Sequence, residues 1–109
     1  MSNTYSIALT EAVFYILLSL TTPLHGYGII QKVEVLSKGR VYLAAGTLYG
    51  AINTLLEKRW IKALPSEKDS RKKEYILTQD GRDALKAEVS RLEELYTNGQ
   101  HILKEVEDA

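Results

Sequence analysis

Residues 46–78 read GTLYGAINTLLEKRWIKALPSEKDSRKKEYILT, and the spacing of their apolar residues changes halfway along. Leu48, Ile52, Leu55 and Leu56 recur at i, i+4, i+7 and i+8, which places them on one stripe of an α-helix. After Trp60 the pattern becomes a short β-favouring run, Trp60, Ile61, Ala63 and Leu64, closed by Pro65. Glu74 to Leu77 answers it as a second strand. Between the runs, Ser66 to Lys72 is polar and rich in turn formers, and Lys73 continues its basic end.

A helix followed by a small basic hairpin is the order of a winged helix. Thr47, Tyr49, Gly50, Asn53 and Thr54 fall on the helix face opposite the apolar stripe, close to its start. Hydroxyls and an amide there can meet base edges and phosphate oxygens, and nothing bulky blocks approach to a groove. A charge run taken alone is an ordinary solvated loop. Directly after a helix with an open polar face, it reads as a wing.

Net charge is zero over 109 residues, yet it is unevenly spread. Residues 38–78 hold nine Lys or Arg against four acids, residues 79–109 hold four against eight, and the first 37 residues carry −1. The local excess of +5 coincides with the proposed helix and wing, where neutralising phosphates needs it. Arg40, Lys68, Arg71, Lys72 and Lys73 are therefore candidate backbone contacts.

Hydrophobic content of 45% is ordinary for a globular chain of one domain, with a small core. With no cysteine there is no disulfide frame and no thiol chemistry, and a cytoplasmic protein is the simplest reading. The longest apolar run, Ala12 to Leu18, is too short to span a bilayer and lacks the flanks of a targeting segment.

Upstream, Thr10 with Glu11 behind it predicts a capped first helix to about Leu20, buried through Val13, Ile16, Leu17 and Leu20 and ended by Thr22-Pro23. A second helix is expected from Gly26 to Ser37, burying Ile29, Ile30 and Val33, with Lys38-Gly39 at its end. With the helix that follows, these form a helix-turn-helix.

Thr78 followed by Asp80 opens a last helix of nearly 30 residues, its start softened by Gly81. Leu85, Val89, Leu92, Tyr96, Gly99, Leu103 and Val106 alternate spacings of four and three, a heptad seam that Leu95 and Ile102 widen. Lys86, Glu88, Arg91, Glu93, Glu94, Lys104 and Glu105 are assigned to the solvated faces. Such a seam serves equally for packing inside one domain, but a domain this small has no obvious place to bury so long a helix. Leu85, Val89, Leu92, Tyr96, Leu103 and Val106 are accordingly read as dimerisation residues. Asn98-Gly99 leaves the continuity of the last third open. The expected architecture is mainly α with a small β-hairpin: a winged helix-turn-helix unit at 1–78 and a dimerisation helix at 79–109.

HGYGI at 25–29, GTLYGAINTLLEKRWI at 46–61 and RKKEYILTQDGR at 71–82 together resemble the PadR family of bacterial transcriptional regulators, in particular its short-tailed subgroup. The likeness runs from about residue 10 to 100. It implies a dimeric DNA-binding repressor, with Thr47, Leu48 and Tyr49 opening the recognition helix and Arg71 to Lys73 lining the wing. It also allows a small aromatic or multidrug effector near the dimer interface. If the first helix packs on the last helix of the partner, Glu11, Tyr15, Leu92, Leu95 and Tyr96 border that cavity. Ala44-Ala45 stands where the family often has Ser-Pro, which implies a less firmly capped recognition helix, and Gly50 replaces a common Pro.

His25 and His101 lack the neighbours of a metal ligand set, so no metal or cofactor is expected. Trp60 reads as a core residue anchoring the wing, Tyr27 and Tyr75 as core or wing packing, and Tyr49 as a phosphate contact. No nucleophile, carboxylate pair or phosphate-cradling loop can be assembled, which argues against an enzyme. Two readings remain: a dimeric repressor on an inverted-repeat DNA operator, and a winged-helix module whose basic face meets an acidic protein.

Overall fold

The computed structural model describes residues 8–65 and 73–109. Its elements run α1 (Glu11–Ser19), β1 (Leu24–His25), α2 (Gly26–Leu36), α3 (Ala45–Glu57), β2 (Ile61–Ala63), β3 (Glu74–Leu77) and α4 (Gln79–Asp108).

The starts of these helices follow local chemistry. Thr10 caps α1, its side-chain oxygen accepting from the Val13 N–H at 3.1 Å, with Glu11 in the first turn. Thr78 caps α4 in the same way through the Gly81 N–H at 3.1 Å, and its hydroxyl donates to the Arg59 carbonyl at 2.7 Å. α2 is capped by His25, whose imidazole Nδ1 accepts from the Gly28 N–H at 3.1 Å. Ala44 precedes α3 and gives it no side-chain cap, the weakly capped start expected from Ala44-Ala45.

α2 and α3 end alike. Lys38 follows the C-cap of α2 with φ 55°, donating to the Val35 carbonyl, while the Gly39 N–H reaches back to Glu34. Arg59 follows that of α3 with φ 63°, donating to Leu56, while the Trp60 N–H reaches Leu55. Both are Schellman closures with a basic residue in the left-handed position usually given to glycine.

The sheet is three-stranded and antiparallel in the order β1-β3-β2. β2 and β3 form the expected hairpin, with Ile61 opposite Leu77 and Ala63 opposite Tyr75. β1 is an addition to it: Leu24 pairs with Tyr75 and His25 with Glu74. Two residues show no alternation in sequence, so this strand exists only through its distant partner.

One core joins all layers: Ile16, Leu17 and Leu20 from α1, Ile29 and Val33 from α2, Leu48, Ile52 and Leu55 from α3, and Ile61, Tyr75, Leu77 and Leu85 beyond. Ile30, expected among the buried residues of α2, is half-buried at its edge. The core does not stop at residue 78, because Gly81, Leu85 and Glu88 bury the first turns of α4 against the rest. A side chain at Gly81 would collide with the Trp60 backbone, whose carbonyl carbon would lie 3.0 Å from the added Cβ. Gly81 is thus a close-packing position inside a firm helix start, not the soft boundary expected from its flexibility.

Beyond Glu88, α4 continues without interruption through Asn98-Gly99 to Asp108 and leaves the domain. The radius of gyration, 16.7 Å, exceeds the roughly 13 Å of a compact chain of this length because of that projection.

Candidate nucleic-acid interface

α3 turns Leu48, Ile52 and Leu55 inward, all at most 2% exposed, and this fixes what its other side presents. Thr47, Tyr49, Gly50, Asn53 and Thr54 are exposed together. Leu48 is corrected from a DNA contact to a core residue: fully buried, it holds the helix onto the domain and has no surface for a groove. Its place on the apolar stripe already said so. Tyr27 moves the other way. It lies off the Gly26, Ile29, Val33 face of α2 and is 64% exposed, not packed in core or wing. Tyr42, in the loop leading into α3, is 71% exposed. Nothing in the sequence pattern singled it out.

The wing candidates Lys68, Arg71 and Lys72 lie outside the described residues. Lys73 is exposed at the root of β3, and Lys62 on β2 is exposed too. Lys58 stands 5.0 Å over the ring of Trp60, a cation–π contact that leaves the tryptophan half-buried where α3 gives way to the sheet. Tyr75 is buried, as packing at the wing root requires, and burial raises its phenol above the ordinary value, with Tyr49 adding to the shift. Arg40 forms an ion pair with Glu11 at the start of α1, so a DNA candidate and an effector candidate are each other's partner.

A second locus lies where α1 meets α4. Leu9, Glu11, Phe14, Tyr15, Glu88, Arg91 and Leu92 line a cleft of ≈ 330 Å³. Three of the five effector candidates, Glu11, Tyr15 and Leu92, come together there, whereas Leu95 and Tyr96 lie exposed further along α4. The cleft forms within one chain, between α1 and its own α4, so its walls need no partner helix.

Glu88 and Arg91, read from sequence as solvated, are the polar centre of this junction. Glu88 is 3% exposed. Arg91 donates to both its oxygens, Nε to Oε1 at 2.8 Å and Nη2 to Oε2 at 2.7 Å, and the Leu9 N–H donates to Oε2 at 3.3 Å. The bonded guanidinium holds the Glu88 carboxyl below its ordinary value, outweighing burial, with the Leu9 amide assisting. The signal was available: Gly81, Leu85 and Glu88 share one helix face at i, i+4 and i+7.

Leu85, counted in the dimerisation seam, is 7% exposed in its own core and offers a partner almost nothing. The remaining seam is bare. Val89, Leu92, Leu95, Tyr96, Ile102, Leu103 and Val106 are all between 39 and 66% exposed.

A helix-turn-helix with an open polar recognition face beside a three-stranded wing defines the winged-helix class of DNA-binding folds. The transcriptional regulator PadR-like family matches residues 14–87, and the chain belongs to that family, whose members regulate transcription and are not enzymes. It is 37% identical over 73 residues to an uncharacterized 37.1 kDa protein of transposon TN4556 from Streptomyces fradiae, a match covering 67% of this chain; the chain spans a fifth of that protein's length. A PadR family regulator of Clostridium difficile R20291 superposes with TM-score 0.68 at 23% identity, covering 85% of this chain and 97% of that one. A PadR-like transcription factor of Bacteroides fragilis gives 0.65 at 27% identity, covering 84% and 87%. BpsR of Bordetella bronchiseptica gives 0.65 at 22% identity, covering 83% and 64%. Among the described residues no helix is long and apolar enough to cross a membrane, and no three metal-binding side chains gather.

Proposed function

We propose that this protein is a dimeric transcriptional repressor of the cytoplasm that reads an inverted-repeat operator. The observation that carries the reading is the two-sided α3, sealed by Leu48, Ile52 and Leu55 and open at Thr47, Gly50 and Asn53. In this proposal the open face enters a major groove, where Asn53 suits a base edge, while Lys73 and the basic residues Lys68, Arg71 and Lys72 neutralise flanking phosphates. Val89, Leu92, Tyr96, Leu103 and Val106 pair α4 with a second copy. Half-site centres then fall about 10 bp apart or at a multiple of that. In functional terms, residues 1–78 read DNA and residues 79–109 assemble the dimer, with the first turns of α4 shared between them.

Effector control is part of the same proposal. BpsR has its DNA binding regulated by 6-hydroxynicotinic acid. Here the α1–α4 cleft, with Phe14, Tyr15 and Leu92 beside Glu11, Glu88 and Arg91, has the apolar walls and few polar groups that suit a small planar aromatic. Such a ligand releases DNA only if it binds the DNA-free conformation more tightly.

The test is selection of DNA from the genome of origin, followed by titration of the recovered site at two salt concentrations. Sequence-specific binding by a dimer is expected. Replacing Arg71, Lys72 and Lys73 by Ala should weaken all sequences alike and lower the salt slope by about 2.7 per monomer. No binding to any recovered sequence, or capture of an acidic protein on the same face, would favour a protein-interaction module instead.

A further inference from the structure

Two short stretches far apart in the chain, HGYG at 25–28 and GTLY at 46–49, meet across the domain. Gly26 opens α2 and is buried. A Cβ added to it would lie 2.8 Å from Tyr49 Cζ and closer still to the hydroxyl, so the end of the Tyr49 ring rests directly on the Gly26 backbone. Gly28 has different neighbours, its added Cβ lying tightest against Leu24 Cδ2 at 3.2 Å, with the ring of His25 at an ordinary contact distance of 3.4 Å. The motif therefore divides its labour: His25 caps the helix through the Gly28 N–H, Gly28 packs closely on Leu24, and Gly26 is the seat of a side chain from α3.

The start of α3 needs such a hold. Ala44 supplies no cap, and Gly46 and Gly50, each with nothing within 4 Å of an added Cβ, place two of the weaker helix formers in the first six residues. Leu48, buried beneath, fixes the depth of the helix. Rotation about that anchor is opposed by the neighbour that reaches sideways, Tyr49. Its ring is half exposed yet seated on α2, one residue beyond the pairing of His25 with Glu74 on β3. A single contact thus joins the recognition helix to the element that carries both the second helix and the root of the wing.

We infer that Tyr49 is a positioning residue, which, seated on Gly26, sets the angle of the recognition helix to α2 and the wing and acts on sequence reading through that angle, not by touching DNA. This inference rests on the DNA-binding reading above, and it also predicts behaviour of the DNA-free protein.

The experiment compares wild type, Gly26→Ala, Tyr49→Ala, the double variant and Tyr49→Phe. In Gly26→Ala the obstructed atoms are the far end of a flexible side chain, so the ring swings out and the fold is retained. Without DNA, the Gly26 Hα resonances should be shifted by the tyrosine ring in wild type and revert in Tyr49→Ala. Amide exchange at residues 46–50 should rise in both single alanine variants while that of α4 stays constant. With DNA, each should lose about tenfold in the ratio of operator to non-specific affinity, the size of one lost base reading, at an unchanged salt slope. The double variant should be no worse than the worse single, and Tyr49→Phe should stay within about twofold of wild type. Additive losses overturn the inference. So does a Tyr49→Phe variant as damaged as Tyr49→Ala, with a slope reduced by about 0.9 per monomer, since that marks a phosphate contact. If wild type binds no operator the functional proposal fails, and the exchange data then decide this one alone: unaltered protection at 46–50 in Tyr49→Ala overturns it.

Discussion

In α3, Leu48, Ile52 and Leu55 are 0–2% exposed, whereas in α4 the residues Val89, Leu92, Tyr96, Leu103 and Val106, set at similar three- and four-residue spacings, are 39–66% exposed. The apolar rhythm is alike in the two helices, and what differs is the matter facing it. The α3 stripe shares one core with Ile16, Ile29 and Tyr75; among the described residues none covers the stripe on the outer part of α4. A periodic stripe thus specifies that a face wants cover, and the rest of the chain decides whether it finds cover at home. Leu85 and Glu88 mark the changeover, since both belong to the helix with the bare stripe and both are buried.

The sharpest way to break this contrast is to perturb one residue on each stripe, with a charge on α4 and a truncation in α3. Leu92→Glu should dissociate a dimer, because an unpaired buried charge costs about 3–5 kcal/mol for each of two copies. Sedimentation should find folded monomers, with the helical circular dichroism of residues 8–78 retained. A dimer that persists at micromolar concentration would show that Leu92 faces no partner. The corresponding core truncation, Leu55→Ala, should cost about 2–5 kcal/mol of unfolding free energy. That loss should appear in monomers and dimers alike, as a denaturation midpoint shift independent of protein concentration.

Glu88→Gln probes the changeover itself. The wild-type carboxyl is held below its ordinary value of 4.5, so its contribution to stability is complete above that pH and disappears as pH falls through the lower folded value. The variant should be less stable by about 1.5–3 kcal/mol at neutral pH, the range for hydrogen bonds to charge. The two proteins should converge in acid. A stability gap that stays constant down to strongly acidic pH would mean that the ion pair does not fasten α4. Smallest of all, Ala44→Ser should stabilise the domain by about 0.5–1 kcal/mol by giving α3 the side-chain acceptor that Thr10 and Thr78 give their helices. No change in melting temperature would mean that Tyr49 and Leu48 already hold the first turn fully.

What the sequence disclosed and what it withheld divide along the same line. Thr10 was legible as a cap, and Thr78 as the opening of a helix, because a helix start is set locally by about four residues. The hairpin was legible because Ile61–Ala63 and Glu74–Leu77 are β-favouring runs close in sequence. β1 was not, since Leu24 and His25 become a strand only by pairing with residues some fifty positions away. The imidazole cap of His25 was missed because histidine is a rare choice beside Ser, Thr, Asp and Asn. At the candidate interface, Thr47, Gly50 and Asn53 followed from the stripe behind them. Glu88 and Arg91 do not, because their charge points to solvent while their place on the helix points to α1, and Leu48 belongs by its position on the buried stripe to the core and not to the DNA face.

The outer part of α4 is also a lever arm. From Arg91, where the guanidinium is fastened to Glu88, to its end at Asp108, the helix stands clear of the other described residues for about 25 Å at 1.5 Å per residue. Tilting it by about ten degrees at that fulcrum would sweep the tip through about 4 Å, more than the roughly 3.4 Å rise of one base pair. If two copies join along this arm as proposed, a displacement of that size equals a whole base-pair step in the spacing of their two recognition helices. On that proposal the Glu88–Arg91 pair sits at the fulcrum, where a small change of tilt has its largest effect at the tip.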